Sequence, residues 1–163
     1  MWWIRSLRPE DRPASDALLA EYAPDAAIYN ERIADTLNAI TAGQGVGLVA
    51  EDATGVIGLA LAVPHSIDTW FLSGIIVAER VRRRGIGQAL LAGLCKDCAQ
   101  DAGIQMIAAM RPPVAPYILG WLHRNDFHPA TIPYYIKPHS RAIVLRWIKR
   151  AAESSSDNGS AER

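Results

Sequence analysis

Apolar and polar positions along the chain fall into strand-like and helix-like runs in the order β-α-α-β-β-β-α-β-α-β-β. Residues 3–7 alternate enough for a first strand, ended by Arg8-Pro9-Glu10-Asp11. Pro13, tolerated in a first helical turn, opens a helix through Ala20. Asp25 is positioned to cap a second helix, whose Ile28, Ile33, Leu37 and Ile40 recur at helical spacing. Gly43, Gly45 and Gly47 end it. Residues 47–51 and 56–63 are apolar runs joined by Asp52-Ala53-Thr54-Gly55, which predicts a hairpin. Residues 64–68 read as a loop. Residues 70–77 form a third apolar run, and Ser73-Gly74 inside it signals a bulge or a close backbone approach.

Behind a basic, glycine-punctuated loop at 82–87, residues 88–101 are helical. Leu90, Leu94 and Cys98 share one face there, and Gly103 is the stop. Residues 105–110 make another strand, closed by Arg111-Pro112-Pro113. A short helix follows at 116–125, then two strands at 131–136 and 142–148. Residues 151–163 are rich in Ser, Asp, Asn and Gly and poor in apolar residues, so they read as a disordered tail behind a single domain at 1–150. Only residues 70–77 and 105–110 are joined by a strand–helix–strand crossover, which should be parallel and right-handed. Hairpins supply the rest. The expected fold is therefore α/β of the α+β type: a mixed, mostly antiparallel sheet of six to seven strands flanked by four helices.

Charge narrows the function classes. The 163 residues carry 17 Lys+Arg against 17 Asp+Glu, which removes the electrostatic case for nucleic acid or an anionic membrane as main partner. No stretch of about 18 apolar residues exists to span a membrane, and Arg5 and Arg8 interrupt the start too early for a secretion signal. Two cysteines make no disulfide framework, so the expected compartment is a reducing cytoplasm. Cys95 and Cys98 lack further ligands at metal spacing and sit mid-helix rather than at a helix start, which favours buried packing over metal or redox chemistry.

The informative segment is Val77-Ala78-Glu79-Arg80-Val81-Arg82-Arg83-Arg84-Gly85-Ile86-Gly87. It leaves an apolar strand and turns into a helix. Two readings stand: a tight turn beside a solvated basic run, or a cradle in which unpaired helix-start amides hold an anion such as a diphosphate. Turn chemistry alone favours the first, and Arg80, Arg82, Arg83 and Arg84 bring the second level with it. A Walker A loop needs Gly-Lys-Ser/Thr where Gly85-Ile86-Gly87-Gln88 stands, and a dinucleotide fingerprint needs a Gly at Leu90 and an acid at Arg111. Neither is met.

Arg82-x-x-Gly85-x-Gly87 after a strand ending in Val77 resembles the acyl-CoA signature of the GNAT family of N-acetyltransferases. Residues 56–63 and 70–77 resemble that family's third and fourth strands, and Trp121-Leu122-His123-Arg124-Asn125-Asp126-Phe127 resembles its late aromatic-Tyr-x-x-x-Gly-Phe motif. The similarity spans about residues 3–150. It implies a sheet splayed between the fourth and fifth strands, with acetyl-CoA (coenzyme A) as cofactor. Backbone groups of Ile75, Ile76 and Val77 would pair with the pantetheine amides, and the amides of Arg82, Arg83, Arg84, Gly85, Ile86, Gly87 and Gln88 would hold the pyrophosphate. The implied reaction is attack on the thioester by a primary amine of a small molecule or peptide in a ternary complex. The resemblance also makes a homodimer reasonable.

Three positions depart from the family pattern. Leu122 stands where a Tyr often protonates the thiolate, Ser73 where many members have a basic Glu, and Asp126 where Gly precedes Phe127. The candidate substitutes are His65 and Asp68, in the loop before the fourth strand, and the hydroxyls of Tyr117, Tyr134 and Tyr135, with Tyr135 favoured. The departures also keep open a catalytically weak acyl-CoA-binding regulatory module on the same fold. A third reading, an interaction domain whose basic loop meets an acidic partner, fits the neutral net charge and the intact Gly85-x-Gly87 less well.

Overall fold

The structure is a computed structural model that describes residues 1–22, 27–100, 105–110, 115–130 and 143–149, with the backbone alone for 27–30. The described strands are β1 (Trp2–Ser6), β2 (Val46–Asp52), β3 (Gly55–Ser66), β4 (Thr69–Val77), β5 (Gln105–Met110), β6 (His128–Pro129) and β7 (Ile143–Ile148). The helices are α1 (Arg12–Tyr22), α2 (Ala27–Thr41), α3 (Ile86–Gln100) and α4 (Pro116–Arg124). The strands form one sheet in the order β1-β2-β3-β4-β5-β7-β6, antiparallel except for the β4–β5 pair. This is the mixed sheet with four helices that the apolar runs predict.

Helices cover both faces. A side chain at Gly47 would run into Leu7 and Ile40 of α2, whereas one at Gly58 would run into Leu90 and Ile86 of α3. The centre of the sheet is therefore buried twice over, and β3 meets that demand with a continuous apolar run in which residues 57–62 are all buried. α2 contributes Ile33, Leu37 and Ile40, and α3 contributes Ile86, Leu90, Leu91, Leu94, Cys95 and Cys98. The cysteines are packing residues, and burial pushes the Cys95 thiol up to about 12.

Several expectations change. β3 continues through Pro64 to Ser66, so the predicted loop at 64–68 shrinks to a turn around Ile67 and Asp68. Pro64 is tolerated because the ladder is irregular there, with a register shift between Pro64 and Ser66. α3 begins at Ile86, two residues early, because Gly85 (φ +79°) turns the chain directly into the helix. The short strand β6 was not predicted. The expected strand at 131–136, the Asp25 cap, Tyr134, Tyr135 and the tail at 151–163 lie outside the described residues.

Polar residues brace one end of the sheet. Arg5 donates twice to Asp11, at 2.7 and 2.8 Å, and once to Glu51 at 2.7 Å. The Asp11 carboxylate also accepts the Arg8 N–H at 2.8 Å, closing the turn ahead of α1. The Arg5 guanidinium holds the nearly buried Asp11 carboxyl below its usual range.

Candidate functional site

The site begins where a ladder stops. β4 and β5 pair at Thr69↔Gln105, Trp70↔Met106 and Phe71↔Ile107, and no further, although β4 runs on to Val77 and β5 to Met110. Their outer neighbours keep pairing, β3 as far as Val77 and β7 as far as Met110. The parallel pair is thus split beyond Phe71, and residues 72–77 of β4 have a strand partner on one side only.

The register tells which backbone groups are left over. Ala78 N–H donates to the Ile57 carbonyl at 2.9 Å, so that pair is hydrogen-bonded. Alternation in an antiparallel ladder then turns the N–H and C=O of Ile76 toward β3, and those of Ile75 and Val77 toward the split. Of the three residues expected to offer backbone to a pantetheine arm, two face the opening and Ile76 does not. The Val77 carbonyl accepts the Arg82 Nε–H at 3.1 Å.

Ser73 is the extra residue of a bulge, since Gly74 opposes Leu61 while Leu72 opposes Ala62. Counting outward from Gly47 and Gly58 puts Ile75 and Val77 on the α3 face, and Phe71, Ser73, Gly74 and Ile76 on the α1/α2 face. The split therefore has two different mouths.

At the end of β4 the chain makes a short 3-10 turn, Glu79–Val81, and enters the glycine loop. Glu21, in the last turn of α1, accepts the Glu79 N–H at 2.8 Å. Arg83 (φ +66°) and Gly85 (φ +79°) both adopt left-handed backbone, which only glycine takes without strain. The first bond of α3 runs from Ala89 N–H to the Gly85 carbonyl at 3.0 Å, so the amides of Ile86, Gly87 and Gln88 have no acceptor within the helix. A Cβ on Gly87 would meet Val77 at 3.6 Å and Trp121 at 3.9 Å, ordinary contacts. Glycine there is not demanded by protein packing; it leaves open the space above the helix start.

The arginines divide. Arg80 turns to the β2–β3 hairpin, donating to Thr54 at 2.7 Å and lying 3.7 Å from Asp52, and Arg82 ties back to β4. Arg83 and Arg84 are exposed on the loop.

The proposed acid–base residues are scattered. His65 stacks edge-on against Phe71, ring centroids 4.9 Å apart, which brings it to the point where the split begins. Asp68 sits behind that point, in the β3–β4 turn. It accepts the Ser66 and Thr69 hydroxyls at 2.7 and 2.9 Å, which hold its carboxyl below the usual range and make it a weaker base. Gln105 donates to Thr69 at 2.7 Å and completes that network. Leu122 is buried, Tyr117 is exposed, and Tyr135 lies outside the described residues. Sequence reasoning did not place Trp121 beside Gly87 at the helix start, nor Glu21 as a brace for the turn. Neither carries a local signal, because each acts on a segment distant in the chain.

Comparisons with known proteins agree with this geometry. The model of the Acetyltransferase (GNAT) family matches residues 6–115. The ribosomal-protein-S18-alanine N-acetyltransferase from Escherichia coli superposes with a TM-score of 0.73 at 21% identity, covering 94% of this chain and 98% of that one. PaiA N-acetyltransferase from Thermoplasma acidophilum, in complex with coenzyme A, gives 0.72 at 13% identity over 91% and 99%. A GNAT family acetyltransferase from Elizabethkingia anophelis with acetyl-CoA bound gives 0.67 at 17% over 90% and 97%. Among curated proteins, a sequence search finds no match.

Proposed function

This chain belongs to the acetyltransferase (GNAT) family, and from that premise we propose that it carries acetyl from acetyl-CoA to a primary amine bound on the α1/α2 face of the split. The observation that carries this reading is the end of β4–β5 pairing at Phe71, followed along β4 by a glycine loop that opens a helix. The unpaired N–H and C=O of Ile75 and Val77 would bond the amides of a pantetheine arm, as a third strand would. The amides of Arg83, Arg84, Gly85, Ile86, Gly87 and Gln88, with the positive end of α3, would hold the diphosphate, the Arg82 N–H being given to the Glu79 carbonyl at 3.2 Å, and Arg83 and Arg84 add charge at the rim.

The bound donor supplies an activated acyl group. The protein's part is to hold that group against an amine and to manage protons. His65, beside Phe71 on the acceptor face, is the side chain we assign as proton acceptor. Asp68 is engaged behind it, and Tyr135 is the hydroxyl assigned to the departing sulfur. Unbridged, buried Cys95 and Cys98 suit a cytoplasmic setting.

The test is calorimetric titration of acetyl-CoA into wild type and into a Gly85→Asp, Gly87→Asp variant, which puts carboxylates where the diphosphate would lie. Micromolar-range binding in wild type (about −8 kcal/mol), abolished in a variant of unchanged circular dichroism, is the expected result. Failure of wild type to bind overturns the proposed site. A binding protein that acetylates no amine would instead be the acyl-CoA-sensing module that Ser73 and Leu122 leave open.

A further inference from the structure

We infer that the protein has a second small-molecule site, at the far end of α3 from the glycine loop, for a compact organic anion: an apolar or aromatic body bearing a carboxylate or a phosphate. The inference does not depend on which reaction the split carries out.

It starts from a cavity of about 610 Å3 on the α3 face of the sheet, between the second half of α3, the end of α4 and the end of β7. That volume is in the range that encloses a small molecule. Its described lining residues lie at 91–100, 124–126 and 147–149, which sets it apart from the glycine loop. From Ile86 to Lys96 alone α3 rises about 15 Å, at ~1.5 Å per residue.

The lining is of two kinds. Buried Leu91, Ala99 and half-buried Trp147 supply an apolar floor. Over it stand Lys96 from α3, Arg124 from the end of α4, and Lys149 just beyond β7. Cations near helix ends often serve only to complement the last carbonyls. Lys149 does this, donating to the Ala99 carbonyl at 3.0 Å, and the bond also fixes its charge at the cavity. The end of α4 is closed by other groups. The Asn125 and Phe127 N–H groups both reach the Leu122 carbonyl at 3.0 Å, and the Asn125 side-chain amide reaches the Trp121 carbonyl at 2.8 Å. Lys96 and Arg124 are therefore spare as caps. Three like charges gathered over one floor repel each other, a cost that a bound anion removes.

Asp126 offsets one of the three, and it is the single acid among the described lining residues. An excess of two positive charges remains. The adjoining positions outside the described residues, 101–104 and 150, bring one acid and one cation, Asp101 and Arg150, which leaves that excess as it is. A smaller cavity of about 230 Å3 shares Asp126 and Lys149 and adds Arg146 and His128, so the basic character continues toward β6.

The two kinds of lining define the ligand together. An inorganic anion would answer the charges and leave the floor wet. A neutral hydrocarbon would cover the floor and strand the ammonium groups beneath it. A small ring carrying a carboxylate or phosphate satisfies both, with the ring against Trp147 and Leu91 and the head group among Lys96, Arg124 and Lys149.

Phenyl phosphate is the probe, titrated calorimetrically into wild type saturated with CoA and, separately, into the Gly85→Asp, Gly87→Asp variant, so that the glycine loop cannot take it. A Kd below about 1 mM is expected in both. Inorganic phosphate and benzylamine should each bind at least about tenfold more weakly, since one lacks the ring and the other has the wrong charge. Benzoate in a parallel titration distinguishes a carboxylate from a phosphate head group. Lys96→Glu with Arg124→Glu turns the excess of two positive charges into two negative ones. This variant should lose phenyl phosphate by about 100-fold, take benzylamine in its place and keep the acetyl-CoA affinity of wild type. Both side chains are exposed, and the milder pair Lys96→Ala, Arg124→Ala should weaken phenyl phosphate by about tenfold. Trp147→Phe should remove the change in tryptophan fluorescence that accompanies binding. No binding, binding no tighter than that of inorganic phosphate, or binding unchanged by charge reversal overturns the inference. So does binding that appears only after residues 151–163 are removed, because the cavity would then belong to the chain's own Glu153, Asp157 and Glu162.

Discussion

The two ends of β4 are made of similar residues and meet different fates. At its start, residues 69–71 are bonded to β3 on one edge and β5 on the other, and Trp70 is buried in the core. From residue 72 onward the strand keeps only β3, and its side chains are mostly half-buried despite the run Leu-Ser-Gly-Ile-Ile-Val. The first part holds the fold together, and the second is a backbone surface awaiting a partner. Apolar character alone therefore does not mark a residue as structural; what matters is where its N–H and C=O go.

The sharpest way to break that contrast uses proline, which deletes one N–H. Ile76→Pro removes a bond to β3 at a buried position and should destabilise the protein by about 1–3 kcal/mol through the carbonyl left unpaired, measured by urea unfolding. Ile75→Pro, one residue away, removes an N–H that faces the split. It should leave the protein folded and weaken acetyl-CoA binding by about tenfold, the worth of one hydrogen bond. Equal damage from both would refute the alternation.

The junction of the two halves, where His65 meets Phe71, comes next. His65→Gln should lower kcat by about 100-fold with acetyl-CoA affinity unchanged, a split that steady-state kinetics and calorimetry read separately. The smallest effect is expected behind the junction. Asp68→Asn should leave kcat within roughly twofold, because the carboxylate is committed to Ser66 and Thr69 rather than to the split. Its signature is in stability. A carboxyl held below its ordinary value contributes above the unfolded pKa of about 3.9, and that contribution disappears as pH falls through the lower folded value. The variant should therefore unfold at slightly less urea than wild type at pH 7, with the two curves converging at low pH.

Much of this was legible in the chain. Apolar runs predict the strands β2 to β5, Ser73-Gly74 signals a bulge or a close backbone approach and the structure has the bulge, and the glycine loop at 82–87 predicts the turn into α3. The element order places the one parallel pair correctly. The split was not legible from local pattern, because residues 70–77 and 105–110 stay apolar through the point where they part. Only the resemblance suggested it. Which of Ile75, Ile76 and Val77 faces the opening depends on pairing parity, which a one-residue bulge reverses. β6 is two residues long and has no periodicity to read. Arg5 reaching both Asp11 and Glu51 joins segments 46 residues apart, beyond any window of local pattern.

An enzyme of this class releases a free thiol with each turnover, which makes the state of its own thiols a practical matter. Thiol–disulfide exchange needs a thiolate that can be reached. Cys95 and Cys98 are both buried on α3, and burial pushes the Cys95 thiol up to about 12. Neither is suited to forming a mixed disulfide with the released coenzyme, so the protein should not be capped by its own product under mild oxidation. A thiol-reactive dye added to the folded enzyme should for the same reason register the product and almost none of the protein.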